Sequence, residues 1–384
     1  MLDYLIIGAG FAGSVIAERI ANILGKKVLI IEKRNHAGGN CFDFQNSYGI
    51  ITHKYGPHIF HTNYSDVFRY LSNFTDWNIY YHKVLVSVDG KKIPLPFNFN
   101  SIEQLFPQYL ARRFEKKLLN KYKYGEKVPI LEIKRENDAD LVFLANFIYD
   151  KIFKNYTAKQ WNTKPEYLDT QVTDRVPILI GKDNRYFNDV YQVIPSEGYS
   201  RIFERMLSHP NIKIMLNTDF KEVLHIDLES KKIYFLGKEF EGKVIFTGMI
   251  DDLLNHVLGI LQYRSLDLRF ENLDVDYFQK VATVNYPNEY DFTRITEFKH
   301  IHPCNSKKTV ILKEYPKEYE SGKDIPYYPM LDRRNIEVYN KYKEISDTFS
   351  NLLLVGRLAE YKYYDMDDII KKALDTFEQK VLNI

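Results

Sequence analysis

Gly8-Ala9-Gly10-Phe11-Ala12-Gly13 is a GxGxxG run set between two kinds of pattern. An apolar stretch, Tyr4 to Ile7, leads into it and a helical periodicity, Gly13 to Leu24, leads out. Lys27 to Ile31 (KVLII) then reads as a second buried strand, ending on an acid, Glu32. Residues 2–32 therefore form one βαβ unit. In such a unit the first glycine allows the tight turn, the second lets backbone approach a pyrophosphate, and the third lets helix pack on strand. The helix N-terminus favours the negative charge. Glu32 is placed to accept hydrogen bonds from ribose hydroxyls and to disfavour a 2′-phosphate. The pattern predicts a dinucleotide site, with Gly8, Gly10, Phe11, Ala12, Gly13, Glu32 and Lys33 as candidate contacts.

Composition bounds what else the chain does. Its 384 residues allow roughly two domains or one with insertions. With 45% hydrophobic and 27% charged residues, intrinsic disorder is excluded. Lys+Arg 53 against Asp+Glu 51 leaves no global basic field, so no nucleic-acid partner is expected. Cys41 and Cys304 are too few for a disulfide scaffold or a Cys-built metal site, and a reducing cytoplasm is the expected compartment. Tyr4 to Ala17 lacks the positive flank of a signal peptide, since Asp3 precedes it. No apolar run approaches the ~20 residues of a membrane span, so no integral membrane contact is expected. The 15% aromatic content is what an AT-rich genome produces; it informs only where Tyr and Arg share a segment.

Further along, Lys83 to Val88 alternates polar and apolar, and a Pro-containing stretch follows at Pro94-Leu95-Pro96. Residues 101–160 read as helices, with Leu141, Leu144, Ala145, Ile148 and Ile152 giving one helix from Asp140 to Tyr156. Past Trp161 short strands appear at Gln192–Ile194, Lys213–Leu216, Lys232–Phe235, Val244–Phe246, Val281–Asn285 and Thr309–Lys313, with a helix from Tyr199 to Leu207 among them. The end is a buried strand, Asn351 to Val355, a turn at Gly356-Arg357, and a helix, Asp367 to Val381.

A second glycine pair follows Glu32 in Asn35-His36-Ala37-Gly38-Gly39-Asn40. It resembles flavoproteins related to the glutathione-reductase and amine-oxidase folds, and Val355-Gly356-Arg357 resembles their late flavin-binding turn. Both favour FAD over NAD. His53-Lys54-Tyr55-Gly56-Pro57-His58-Ile59-Phe60-His61-Thr62 holds two His at i and i+3, but no carboxylate or Cys stands at ligand spacing, so no metal is expected.

That stretch resembles the HKYGAHIFHT segment of bacterial UDP-galactopyranose mutases, and the likeness runs on in the same order to about residue 370. Phe153 to Trp161 (FKNYTAKQW) is similar to the family's FFKGYTxKQWG. Asp174-Arg175-Val176-Pro177 with Asn184-Arg185-Tyr186-Phe187-Asn188 resembles its RxPVR…DxRYF. Phe292 to His300 (FTRITEFKH) resembles YTRITEHKH, Asp324 to Pro329 (DIPYYP) resembles PYYP, and Gly356 to Asp367 resembles GRLxxYRYLDMD. Departures are Pro57 for Ala, Asn162 for Gly, Met249 for Pro, and Ile152 where members often carry Phe.

The resemblance implies an α/β chain: a discontinuous Rossmann-like FAD-binding domain (1–80, 195–262 and 345–384), a helical insertion (100–160) and an antiparallel β-sheet domain (81–99, 161–194 and 263–344). It implies the interconversion of UDP-galactopyranose and UDP-galactofuranose through a reduced-flavin N5–sugar adduct, without net oxidation, supplying furanose for cell-surface glycans. UDP-N-acetylgalactosamine or a deoxy sugar are alternative substrates, and an FAD-dependent oxidoreductase is the alternative class. FAD contacts would extend to Gly39, Asn40, His58, Ile59, Gly356, Arg357, Asp365 and Met366. The UDP-sugar would meet Ile152, Phe153, Tyr156, Thr157, Trp161, Arg175, Tyr186, Asn188, Arg294, Tyr328 and Tyr363. Arg175 and Arg294 would neutralise the diphosphate, His58 and His61 would shape the flavin side, and Asn162 to Asp174 would act as a lid delivering Arg175. Bacterial members are usually homodimers.

Overall fold

The fold is seen in a computed structural model that describes residues 2–161 and 177–382. Five short strands form a parallel sheet in the order Ile212–Met215, Val28–Ile31, Tyr4–Ile7, Lys243–Phe246, Leu352–Leu354. Every neighbouring pair is parallel. Their near-continuous Val/Ile/Leu content reflects burial on both faces. On one face the helix Phe11–Leu24 packs against the C-terminal helix Met366–Phe377. It stops at Gly25, whose φ of +63° is the left-handed conformation that a helix end often requires. On the other face Met249, Ile250 and Tyr342 close a second apolar cluster with Leu5, Ile7 and Phe246. Met249 thus packs in a core.

The helical unit comprises Phe99–Leu105, Gln108–Lys121, Ile130–Lys134 and Ala139–Ile148 around a core that includes Phe114, Leu144 and Ile148. Asp138 caps the last of these by accepting from the backbone N–H of Asp140 and Leu141. The single helix expected from Asp140 to Tyr156 is interrupted. A π-helical turn, Tyr149–Lys154, precedes a new α-helix, Asn155–Trp161. The wider turn shifts the inward face by a residue, so that Ile148 is followed by Ile152 and Phe153 together and then by Thr157.

A seven-stranded sheet lies alongside, in the order Tyr328–Pro329, Tyr263–Leu273, Thr309–Glu318, Arg294–Glu297, Thr283–Asn285, Val84–Val88, Lys91–Leu95. Its pairs are antiparallel except Thr283–Asn285 with Val84–Val88, which run parallel, so the sheet is mixed. The Pro-containing stretch is its edge strand, where Pro94 needs no ladder donor on the open side. A three-stranded sheet places Phe60–Thr62 beside Tyr191–Pro195, with His61 opposite Gln192.

Candidate active site

The glycine run forms a cradle over the parallel sheet. Gly8 takes φ +101°, and a Cβ on Gly13 would lie 2.0 Å from the Gly8 carbonyl oxygen, so the third position admits no side chain. Gly10 and Gly39 approach so closely that a Cβ on Gly39 would sit 3.0 Å from Gly10 Cα. The helix that begins at Phe11 has no side-chain cap and no acid in its first turn. Its free N–H groups and dipole are thus left for an anion. Glu32 is held by its loops: Oε2 accepts from Ala9 N–H at 2.9 Å and Oε1 from Arg34 N–H at 2.9 Å. Arg34 lies over the Tyr55 ring at 4.2 Å and donates to Asn40 Oδ1, yet its Nη1 is buried without a partner. That orphaned guanidinium nitrogen, beside an uncapped helix, fits a bound phosphate-bearing dinucleotide.

Next to this cradle, at Asn40, begins a cleft of about 1080 Å³ lined by the helical unit, the seven-stranded sheet and the loops at Tyr55–Ile59 and Arg357–Asp367. Asn40, His58, Ile59, Arg357, Asp365 and Met366 line its near end. Val84, Val86, Leu95, Ile152, Phe153 and Tyr156 line an apolar portion elsewhere. Arg294 also lines it, with Nε donating to Glu314 Oε1 at 2.6 Å. Burial opposes the Arg294 charge, but Glu314 more than offsets it, and its pKa is raised. Tyr328 and Tyr363 stack at 5.9 Å, and the Arg357 guanidinium lies 5.2 Å from each ring. Tyr363 donates to Asp365 Oδ1 at 3.0 Å. Burial raises the pKa of Tyr156, Tyr186 and Tyr363, so each remains an O–H donor.

The histidines are set in distinct tautomers. His58 Nδ1 faces the Gly56 carbonyl at 2.8 Å and must carry its hydrogen there. Burial, with Arg357 and Arg294 nearby, brings its pKa to about 4, so it is neutral with a bare Nε2. Its backbone N–H donates to His53 Nδ1 at 3.0 Å, which puts the His53 hydrogen on Nε2, 3.0 Å from His302 Nε2. Asp43, His53 and His302 form the one group of potential metal ligands among the described residues. Asp43 already accepts from the N–H groups of Tyr199 and Ser200 at 2.6 and 2.9 Å, and His53 offers no free lone pair, so the donor set does not suit an ion. His61 pairs with Asp189 at 3.0 Å and stacks on Phe187 at 3.6 Å. His82 lies 5.9 Å from the same ring, and burial brings its pKa to about 3.

Comparison with known proteins agrees with this geometry. Residues 6–74 match the model of an NAD(P)-binding Rossmann-like domain, and residues 151–363, over half of the chain, match that of UDP-galactopyranose mutase. A dTDP-fucopyranose mutase of Escherichia coli is 34% identical, over 100% of this chain and 99% of its own. A probable UDP-galactopyranose mutase of Klebsiella pneumoniae is 33% identical over 98% and 94%. The chain belongs to the UDP-galactopyranose mutase family. A crystal structure of a reduced UDP-galactopyranose mutase shares the fold at TM-score 0.69 and 18% identity, covering 98% of this chain and 95% of the other. The chain is therefore an isomerase of the mutase type, and its dinucleotide is FAD.

Within this mutase fold most of the expected residues meet at one cleft: His58, Ile59, His61, Ile152, Phe153, Tyr156, Thr157, Tyr186, Arg294, Tyr328, Arg357, Tyr363, Asp365 and Met366 all line it. Asn188 does not; it is exposed beside a small second cavity with Tyr124 and Lys182. Lys33 is exposed next to the buried Glu32. Arg175, the Asn162 to Asp174 stretch and the Trp161 side chain lie outside the described residues. Sequence reasoning missed Arg34, His82, Thr283, Asn285 and Glu314. None of them left a local signal: Glu314 follows Lys313 at the end of the run Thr309 to Leu312, as an ordinary solvated pair would. Among the described residues no helix is long and apolar enough to cross a membrane.

Proposed function

We propose that this chain interconverts UDP-galactopyranose and UDP-galactofuranose without net oxidation, as a cytoplasmic homodimer supplying furanose for cell-surface glycans. The observation that carries the reading is the single cleft that joins the residues beside the dinucleotide cradle to Arg294, three tyrosines and the apolar Ile152-Phe153-Tyr156 slot. A nucleotide-sugar has the same three parts: a flat base, a diphosphate and a hydroxyl-rich ring.

Reduced FAD, when bound, supplies the nucleophile toward the anomeric carbon. The chain's own residues bind and orient. Arg294, already aimed by Glu314, takes the diphosphate, each charge-assisted bond contributing roughly 1.5–3 kcal/mol. Tyr186 and Tyr328 add phenolic donors to it, and Tyr363 does so once its O–H turns from Asp365. So held, UDP stays beside the sugar while the ring recloses through its 4-hydroxyl, which keeps the return step effectively unimolecular. Arg175, by its motif, would be a second diphosphate ligand. His58 presents a lone pair and no proton, so it accepts hydrogen bonds on the cofactor side.

A second reading, the same chemistry on a dTDP-linked 6-deoxy sugar, is favoured by the likeness to the E. coli dTDP-fucopyranose mutase. Chromatography of UDP-galactofuranose incubated with the protein, with and without dithionite, tests the first. Conversion to the pyranose only after reduction supports it. Absence of conversion, with dTDP-fucopyranose converted in parallel, overturns it in favour of the second.

A further inference from the structure

The cleft-facing side of the seven-stranded sheet holds polar atoms that the protein leaves unsatisfied. Glu314, Arg294, Asn285 and Val86 stand in register on four successive strands, so their side chains share one face. Polarity falls along that row from ion pair to amide to aliphatic side chain. In the next row Thr283 lies between Thr296 and Val84. Thr283 is 2% exposed and Asn285 8%, and both line the cleft. Neither the Thr283 hydroxyl nor the Asn285 Oδ1 has a hydrogen-bond partner. The Thr296 hydroxyl is likewise unpartnered, but Thr296 does not line the cleft.

We propose that the Thr283 hydroxyl, beside Asn285, hydrogen-bonds the nucleoside of the bound nucleotide and is a specificity-determining residue for it. The inference rests on the UDP-sugar reading above and assigns part of that site. With the diphosphate on Arg294, the neighbouring strand is about 4.8 Å away and its diagonal position about 7 Å. That is the direction in which the ribose and then the base extend toward Val84, Val86 and Leu95. A buried hydroxyl with no partner costs folding free energy. A ligand that supplies the partner recovers that cost on binding. A ribose hydroxyl and the polar edge of a pyrimidine both supply it.

The test is titration calorimetry of the FAD-loaded protein with UDP and with dUDP, on wild type and Thr283→Val, which keeps the side chain's shape and removes its hydroxyl. UDP binding is expected to weaken about tenfold, while the free variant melts at the same or a higher temperature. Those opposite signs are what packing alone does not give. A loss equal for both nucleotides assigns the contact to the base or the 3′-hydroxyl, and a loss confined to UDP assigns it to the ribose 2′-hydroxyl; either supports the proposal. Thr283→Ser, which restores the hydroxyl, is expected to bind UDP near the wild-type level. Unchanged UDP affinity in Thr283→Val overturns the proposal and leaves the mutase reading standing, as does weaker binding accompanied by a lower melting temperature. A wild-type protein that binds neither nucleotide overturns both.

Discussion

The dinucleotide cradle and the substrate cleft are built on opposite principles. The cradle draws its turn, helix and acid from residues 8 to 32, and the late turn at Gly356 closes over them, where a Cβ would meet Thr247 and Ala12. Its chemistry is backbone: glycines that admit no side chain and a helix end left uncapped. The cleft draws Tyr156 from a helix, Arg294 and Glu314 from adjacent strands, and Tyr363 from a loop, and its chemistry is in side chains. The cradle tolerates no side chain at Gly8 or Gly13. A side-chain site should lose function in parts.

The widest separation should appear at Gly13. Gly13→Ala forces a Cβ against the Gly8 carbonyl, and at least about tenfold less bound FAD is expected, read from visible absorbance; full flavin content would break the comparison. Arg294→Ala should keep its FAD while kcat/KM falls about 100-fold or more. Because it leaves Glu314, 2% exposed, as an unpaired buried charge, the melting temperature should fall as well. Tyr156→Ala should weaken UDP binding by about tenfold through lost stacking, and Tyr156→Phe by much less.

Acid should act through the buried neutral histidines, of which His58 and His82 line the cleft. Burial lowers the pKa of His53, and brings His58 and His302 to about 4 and His82 to about 3. The unfolded chain takes up these protons near pH 6.5 and the native one does not until far lower. Stability is therefore full above pH 6.5 and lost as pH falls toward 4, by a few kcal/mol in sum. Urea midpoints across that range measure it, and His82→Gln should flatten the slope. The smallest effect should be Gly25→Ala, about 1 kcal/mol, because only the left-handed backbone objects: nothing lies within 4 Å of its Cβ.

The same contrast explains what could be read in the chain. The GxGxxG run, its flanking strands and Glu32 are contiguous, so periodicity alone exposes them. Arg294 became a candidate only through the resemblance of its neighbours, because one exposed-looking Arg carries no local signal. Glu314, Thr283 and Asn285 acquire meaning only from register across three strands, which no window along the chain contains. The π-helical turn at Tyr149–Lys154 was hidden for a different reason: Leu141, Ile148 and Ile152 satisfy an ordinary helical period, and the extra residue shows only in the burial of Phe153 beside Ile152.

One consequence of the parallel sheet concerns synthesis. One edge strand, Leu352–Leu354, and the helix Met366–Phe377 that covers Phe11–Leu24 leave the ribosome long after the glycine run they complete. Until then the strand Lys243–Phe246 offers a bare apolar edge, and Gly356 is not yet in reach of Gly8 and Thr247. A nascent chain thus carries its nucleotide fingerprint long before it has anything to close over the ligand, which places cofactor loading well after the first βαβ unit is made.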